Sequence, residues 1–579
     1  LRQTLALALL LSAAALAARA AEVDALDYDA TIRVAAADKR LDGDVTIRLR
    51  MAAAEADVVL DAEELQVTSV EQLVPEPLPA TFESTPKQLR IRLPRPAAGV
   101  VALRIRYSAR PKRGVRFAGG ETVTYFHTPA WLPCRFDPAD RAAFVLHLEV
   151  PRGVQTLGNG VHGAVEELPD GWTRETWTET RAYSAYLFGF AAGALLATRC
   201  ELPHGPVFWM LAGELPEAQR RTICTRYPEM FAFLEKVAGV PYPEPRFSLL
   251  FAKDGLPQEA AAYAVLSRAY ADAVTSDPSE DYLLLHELAH SWWGNLVTCD
   301  GWREFWLNEG MVTFLTAAFK EREWGADEYD RERFLARRRM ARLAATGKVR
   351  ALVPAEATAE DAGGPVAYSQ GALFLHLLRV QLGEAAFWKA IRAYTRAAAG
   401  GDRLARTADL EKFMRTSGKD VGYLFAQWAR SSERLDLMAR QELGGDGVTV
   451  IITQRQPALW IVPLRIAVQT DSRRVLRDVV LRERVTRVHV RVRGRVTGVR
   501  VDDGGRLPER IAHERPTAML MAQSAHEPDA LGRSEALEEL VARCGGKPDE
   551  GDCAGAAAAF EAARHDRARL VRQLAPENH

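Results

Sequence analysis

Residues 286 to 310 read HELAHSWWGNLVTCDGWREFWLNEG. His286 and His290 stand four apart in an amphipathic run without proline, YLLLHELAHSWW. On a helix that spacing puts two imidazoles on one face about a turn apart, where a single cation reaches both. Glu287, the next residue after the first histidine, is rotated beside such a cation rather than onto it, which suits a general base for a water molecule. Glu309 falls on the following apolar-periodic run, EFWLNEGMVTFLTAAF, and a helix–loop–helix hairpin of this length can return its carboxylate to the histidines. Two His and one Glu with a position left open is the donor pattern of a catalytic zinc site, one ion per chain, rather than of a closed structural one.

The elements that must carry these groups follow from hydrophobic periodicity. Residues 21–200 read as short alternating strands with turns, a mostly antiparallel N-terminal β domain; ATIRVAAADKRLDGDVTIRLRM alternates on either side of a turn signal at Asp42-Gly43. Residues 201–437 change to helical spacing, with one short strand, RFSLLFA, near their start, and form the α-rich part that bears the chemistry. Strands return over 441–510 as a small β-sandwich. A short helical segment, 516–579, holds two helices around 533–543 and 555–573. The fold class is therefore multidomain α+β, and 579 residues are too many for one core. The arginine-rich run RERFLARRRMARLAATGKVR reads as an amphipathic helix with a solvated basic face. His376 sits on an apolar helix face as a packed residue.

Charge is balanced, 75 basic against 76 acidic residues, which excludes the basic excess of a nucleic-acid binder. The first 20 residues, one arginine, an apolar run and then Ala18-Arg19-Ala20, read as a signal peptide; the expected location is exported, periplasmic or extracellular, and an uncleaved anchor is the competing reading. Six cysteines fit an oxidising compartment. Cys544 and Cys553 flank a Gly/Asp-rich loop and Cys200 and Cys224 a strand-to-helix passage, so both are candidate disulfides, whereas Cys134 and Cys299 read as buried small hydrophobes.

The 286–310 stretch resembles, nearly residue for residue, the zinc signature of the gluzincin zinc aminopeptidases related to aminopeptidase N. WLPCRFDPADRAAFVLHLEVP (131–151), YSQGALFLHLL (368–378), LFAQWARSS (424–432) and LWIVPLRIAV resemble other segments of that family, with Gln370 where lysine is usual. The resemblance covers roughly residues 25 to 510. It implies a thermolysin-like zinc catalytic domain, zinc ligands His286, His290 and Glu309, Glu287 as general base and acid, and Tyr368 donating its phenol to the oxyanion. It also implies a peptide substrate, while the balanced charge speaks against a nucleic acid as partner. Read from the residues alone, Tyr368 could instead be a core residue at a helix start.

One departure bears on the substrate. The family's Gly-x-Met-Glu-Asn box, whose Glu binds the substrate's free α-amino group, aligns with EAAAYAVL (259–266), so the Glu position falls on Ala262 and the Asn position on Tyr263. An ammonium entering a closed cleft needs a carboxylate to offset its lost hydration. Glu259, where the family has Gly, could take that role if the strand were slipped or bulged. Glu259, Ala262 and Tyr263 are thus the candidate substrate-binding residues. Three readings stay open: a secreted aminopeptidase acting on peptides, an endopeptidase or hydrolase of N-blocked peptides, and a peptide-binding protein that keeps zinc without turnover.

Overall fold

The computed structural model describes residues 23–400, 403–546 and 550–576, so the signal-peptide reading of residues 1–20 lies outside the described residues. Among those described, no helix is long and apolar enough to cross a membrane. The chain is mixed α+β and divides into two compact units, Leu1–Glu235 with Pro241–Gly301, and Lys236–Val240 with Trp302–His579.

In the first unit the alternating N-terminal sequence forms a nine-stranded sheet in which Val23–Ala35, Arg40–Asp61, Gln88–Ala109 and Gln66–Val74 lie side by side. Leu41, Val45, Ile47 and Leu49 point to one face and are fully buried, as a period of two requires. The pairing is antiparallel except between Val23–Ala35 and Arg141–Pro151, which run parallel. The turn between the first two strands is at Ala36–Asp38, not at Asp42-Gly43. Gly43 lies within the second strand, paired with Ile32, because a side chain there would overlap the ring of Tyr107, whose hydroxyl donates to the Trp131 carbonyl at 2.7 Å.

A second, five-stranded sheet follows: β1 (Leu196–Cys200), β2 (Val207–Ala212), β3 (Arg246–Ala252), β4 (Gln258–Ala260) and β5 (Tyr263–Ser267), in the spatial order β1-β2-β3-β5-β4. The start of the 201–437 segment is therefore richer in strand than its periodicity suggests. VFWMLA and YAVLS are continuous apolar runs of a few residues, for which periodicity does not separate strand from buried helix. A disulfide joins Cys200, at the end of β1, to Cys224, and a second joins Cys544 to Cys553; Cys134 and Cys299 are buried and take part in neither disulfide. The first unit ends with α1 (Tyr282–Ala289) and the loop that follows it.

The second unit opens on α2 (Trp306–Trp324), α3 (Ala326–Ala345) and α4 (Gly371–Leu382). The arginine run of α3 is solvated only in part, with Arg339 exposed. Arg333 and Arg337 are buried, and Arg333 pairs with Asp330 and donates to the Gly504 and Gly505 carbonyls at 3.0 and 2.8 Å. Arg337 pairs with Asp502 and Glu535. A guanidinium is stable in such a place only because its donors are met by carboxylates and carbonyls. His376 on α4 is packed among the same groups, with Tyr329 Oη at 2.8 Å and Arg333 at 3.0 Å; burial first, then the charges of Arg333, Arg337 and Arg379, hold its pKa well below the usual histidine value and keep it neutral.

The sandwich comprises β6 (Leu437–Gly444), β7 (Gly447–Gln454), β8 (Val462–Thr470), β9 (Arg474–Leu481), β10 (Val485–Arg491), β11 (Val496–Val501) and β12 (Ala512–Glu514), in sheets ordered β10-β7-β6-β12 and β9-β8-β11. The tail is more helical than expected, with Thr517–His526 and Ala530–Cys544 followed by Ala556–Arg564 and Arg569–Leu574. The run read as one helix over 555–573 breaks at Asp566, whose carboxylate takes the Ala568 amide at 2.7 Å and a two-pronged contact from Arg533.

Candidate active site

Leu284, Leu285 and Leu288 anchor α1 in the core and are fully buried, which fixes the rotation of the helix. Its first turn is closed by Tyr270, whose hydroxyl accepts the Leu283 amide at 3.0 Å and donates to the Glu280 carbonyl at 2.6 Å. Two amides that a helix start leaves without a backbone acceptor lie beside that one phenol, the second being Leu284 at 3.4 Å. The Arg226–Asp281 ion pair, 3.0 Å, holds the same end.

The helix ends at Ala289, with His290 as its C-terminal cap, earlier than the apolar run through Val297 suggests. Beyond it the amides of Asn295, Leu296 and Val297 bond to carbonyls five residues back, at 3.0, 3.3 and 2.8 Å, and the turn closes on Gly294 with φ +125°. Only glycine suits that backbone, and a Cβ there would lie 3.1 Å from His290 Nδ1. The wide turn brings the Trp293 carbonyl to 3.1 Å from the same Nδ1. A carbonyl can only accept, so Nδ1 carries the proton and Nε2 of a neutral His290 keeps its lone pair.

That lone pair faces His286. The two Nε2 atoms are 3.3 Å apart, and both rings are buried. A separation of 3.3 Å is short enough for one small cation to be reached by both nitrogens. The pair thus fits zinc in both donor type and spacing. The Tyr282 ring stacks on His286 with centroids 5.5 Å apart, which sets the tilt of that imidazole.

Glu287 is buried on the same helix, and Glu259 comes to it from β4. Glu259, Glu287 and His290 each offer an atom within 4.8 Å of the others. No slip or bulge is needed for this. Glu259 pairs with Ala264 in regular antiparallel register, and its carboxylate takes a bond from the Gln258 side-chain amide at 2.9 Å. The edge strand itself is pinned by two asparagines, Asn295 donating to the Ala260 carbonyl at 3.1 Å and Asn159 to the Ala261 carbonyl at 2.9 Å.

The neighbours of Glu259 fare differently. Ala262 occupies the hairpin turn at φ +67°, its carbonyl taking the Ser248 amide at 3.0 Å, and its methyl group brings no charge. Tyr263 pairs with Ala260, so its side chain leaves on the face opposite Glu259 and packs beside Gly189 and Thr124. The structure does not bring Tyr263 to the carboxylates.

In the second unit Glu309 is buried in the first turn of α2, and Tyr368 is half-buried in a π-helical turn, Val366–Gln370, that leads into α4. The two helices approach through glycines: a Cβ on Gly310 would lie 2.9 Å from the Ala367 carbonyl oxygen and from Gly371 Cα. The residue after Glu309 thus sits against the residue before Tyr368. Trp292, Trp293 and Trp306 are core residues, as their setting suggests. Tyr270, Asn159 and Asn295 carry no sequence signal of their own, because each acts through backbone groups ten or more residues away in the chain.

Two family models match this chain, the Peptidase M1 N-terminal domain over residues 25–187 and the Peptidase family M1 domain over residues 227–428, together more than half of its length. Aminopeptidase M1-A of Oryza sativa is 24% identical over 59% of this chain and 40% of its own. Leucine aminopeptidase 2 of Phaeosphaeria nodorum is 26% identical over 48% of each. The chain spans less than half the length of these curated relatives. Among solved structures, that of Legionella pneumophila aminopeptidase A in complex with aspartic acid superposes with a TM-score of 0.78 at 16% identity, over 96% of this chain and 68% of that one, and shares its fold. With the zinc-signature helix and the N-terminal β domain both inside the matched segments, the chain belongs to the M1 peptidase family.

Proposed function

We propose that this protein is a zinc-dependent metallopeptidase that removes residues from the free amino end of peptides. The observation that carries the reading is the His286–His290 pair, Nε2 atoms 3.3 Å apart, with the carboxylates of Glu287 and Glu259 alongside. His286, His290 and Glu309, the ligands that the family resemblance implies, would hold the ion. Zinc supplies Lewis acidity, which makes water acidic enough to lose a proton near neutral pH and polarises a peptide carbonyl.

The chain's own groups do the rest. Glu287 takes a proton from the attacking water and passes it to the leaving amine nitrogen, and with the water's second proton also ending on that nitrogen, water and peptide become a carboxylate and an ammonium. The Tyr368 phenol donates to the carbonyl oxygen as negative charge collects there, a bond that strengthens only in the transition state. Glu259 holds the substrate's ammonium group, replacing hydration that the buried strand edge denies it. That role is supported by its place beside Glu287. The absence of a carboxylate at Ala262 favours the second reading, an enzyme for peptides with blocked amino ends. The two disulfides suit an exported protein in an oxidising compartment.

The test is digestion of a peptide library with mass readout and metal analysis, wild type beside Glu287→Ala. Products one residue shorter from the amino end, one zinc per chain in both proteins and no turnover in the variant are expected. Cleavage that survives in Glu287→Ala would refute the assignment, and internal cleavage in the wild type would transfer it to the second reading.

A further inference from the structure

Residues 471 to 495 carry nine arginines and no lysine against three acidic residues, in a chain whose formal net charge is −1. Some of these arginines serve the fold. Arg474 pairs with Asp503 and Glu527, and Arg484 donates to the carbonyls of Gln454 and Pro457. Four others do not: Arg473, Arg491, Arg493 and Arg495 are exposed, and among the described residues none of their guanidinium groups has a carboxylate within 4.0 Å.

These four share one end of the sandwich. The Thr470 amide donates to the Arg473 carbonyl at 2.8 Å and closes the turn between β8 and β9. The Asp471 amide donates to the Arg495 carbonyl at 3.1 Å, tying that turn to the loop between β10 and β11. The Val492 amide reaches the Asp446 carbonyl at 3.3 Å and adds the β6–β7 hairpin. Two leucines stand open nearby, Leu443 at the hairpin, 62% exposed, and Leu476 near the start of β9, 49% exposed. The acidic groups of these loops are Asp446, which faces His489 at 3.4 Å, and Asp471.

We propose that this end of the sandwich docks on an anionic phospholipid surface. Planar guanidinium groups pair with phosphate oxygens, and exposed aliphatic side chains among them can enter the boundary between headgroups and acyl chains. A single-stranded nucleic acid would be held in part by stacking, and residues 471–495 contain no Phe, Tyr or Trp. Each arginine near such a surface changes the partition by about fivefold, and the attraction is confined to about a Debye length.

The test is co-sedimentation of the full chain with phosphatidylcholine vesicles, with and without phosphatidylglycerol, at low and high salt. Binding only to the phosphatidylglycerol vesicles, weakened by salt, is expected. The variant Arg473→Gln/Arg491→Gln/Arg493→Gln/Arg495→Gln should lose binding several-hundredfold at about fivefold per arginine, with an unchanged melting temperature as the control for folding. Leu443→Ser should weaken binding without altering its salt dependence. No sedimentation at low salt, equal binding to both vesicles, binding unaffected by the four substitutions, or capture by RNA or heparin in preference to vesicles would each overturn the proposal.

Discussion

At the scale of single residues, side-chain neighbours set by spacing along one helix were readable, and those set by strand register were not. His286, Glu287 and His290 follow from a four-residue repeat because a helix turns the repeat directly into a shared face. Glu259 is different. Its nearness to Glu287 comes from the hairpin β4–β5 pairing Glu259 with Ala264 while Ala262 takes the turn, and only the backbone reveals which of three neighbouring residues faces α1. The tautomer of His290 is likewise set by the Trp293 carbonyl, which a glycine-closed turn delivers. Tyr368 gives the sharpest prediction at this scale. Removing its hydroxyl takes away a bond made mainly in the transition state, so Tyr368→Phe should lower kcat about 10²–10³-fold with KM little changed, read from steady-state peptide hydrolysis. A loss confined to KM would contradict the assigned role.

Among the elements, long amphipathic helices and alternating strands were legible, while short apolar runs and breaks were not. The strands of the five-stranded sheet are too short for periodicity to decide, and the end of α1 depends on one glycine with a backbone angle other residues avoid. The basic face of α3 was misread because sequence shows which residues share a helix face, not what that face meets; here it meets carboxylates and carbonyls from residues 502 to 535. The contact of α2 with the start of α4 offers a direct test of packing. Gly310→Ala would gain about 1 kcal/mol of helix propensity. Its Cβ, however, would meet backbone atoms at 2.9 Å that cannot rotate away, and overpacking of this kind costs about 1–3 kcal/mol. The expected outcome is a lower melting temperature together with reduced activity, because Glu309 and Tyr368 adjoin the contact. A variant as stable and active as the wild type would show that the approach is not tight.

For the whole molecule, the multidomain α+β architecture was legible from the succession of alternating, helical and again alternating sequence. The division into compact units at Gly301, inside the signature stretch, has no mark in composition. Stability should also depend on pH through a group remote from the chemistry. Glu179 is 2% exposed, and burial, helped by the neighbouring Glu244, raises its carboxyl pKa to about 7 from 4.5. Below about 4.5 both folded and unfolded chains hold this proton, between about 4.5 and 7 only the folded chain does, and stability therefore falls as pH rises through that window. Glu179→Gln should leave the melting temperature unchanged near pH 4 and raise stability by about 3 kcal/mol at pH 8, measured by denaturant unfolding. The central claim, a peptidase that recognises the free amino end through Glu259, is tested most directly by kcat/KM for one peptide with a free and with an N-acetylated end, in the wild type and in Glu259→Gln. A strong preference for the free amine that Glu259→Gln reduces at least tenfold, chiefly through KM, is expected; equal cleavage of both peptides, or a preference untouched by the substitution, would contradict the role of Glu259.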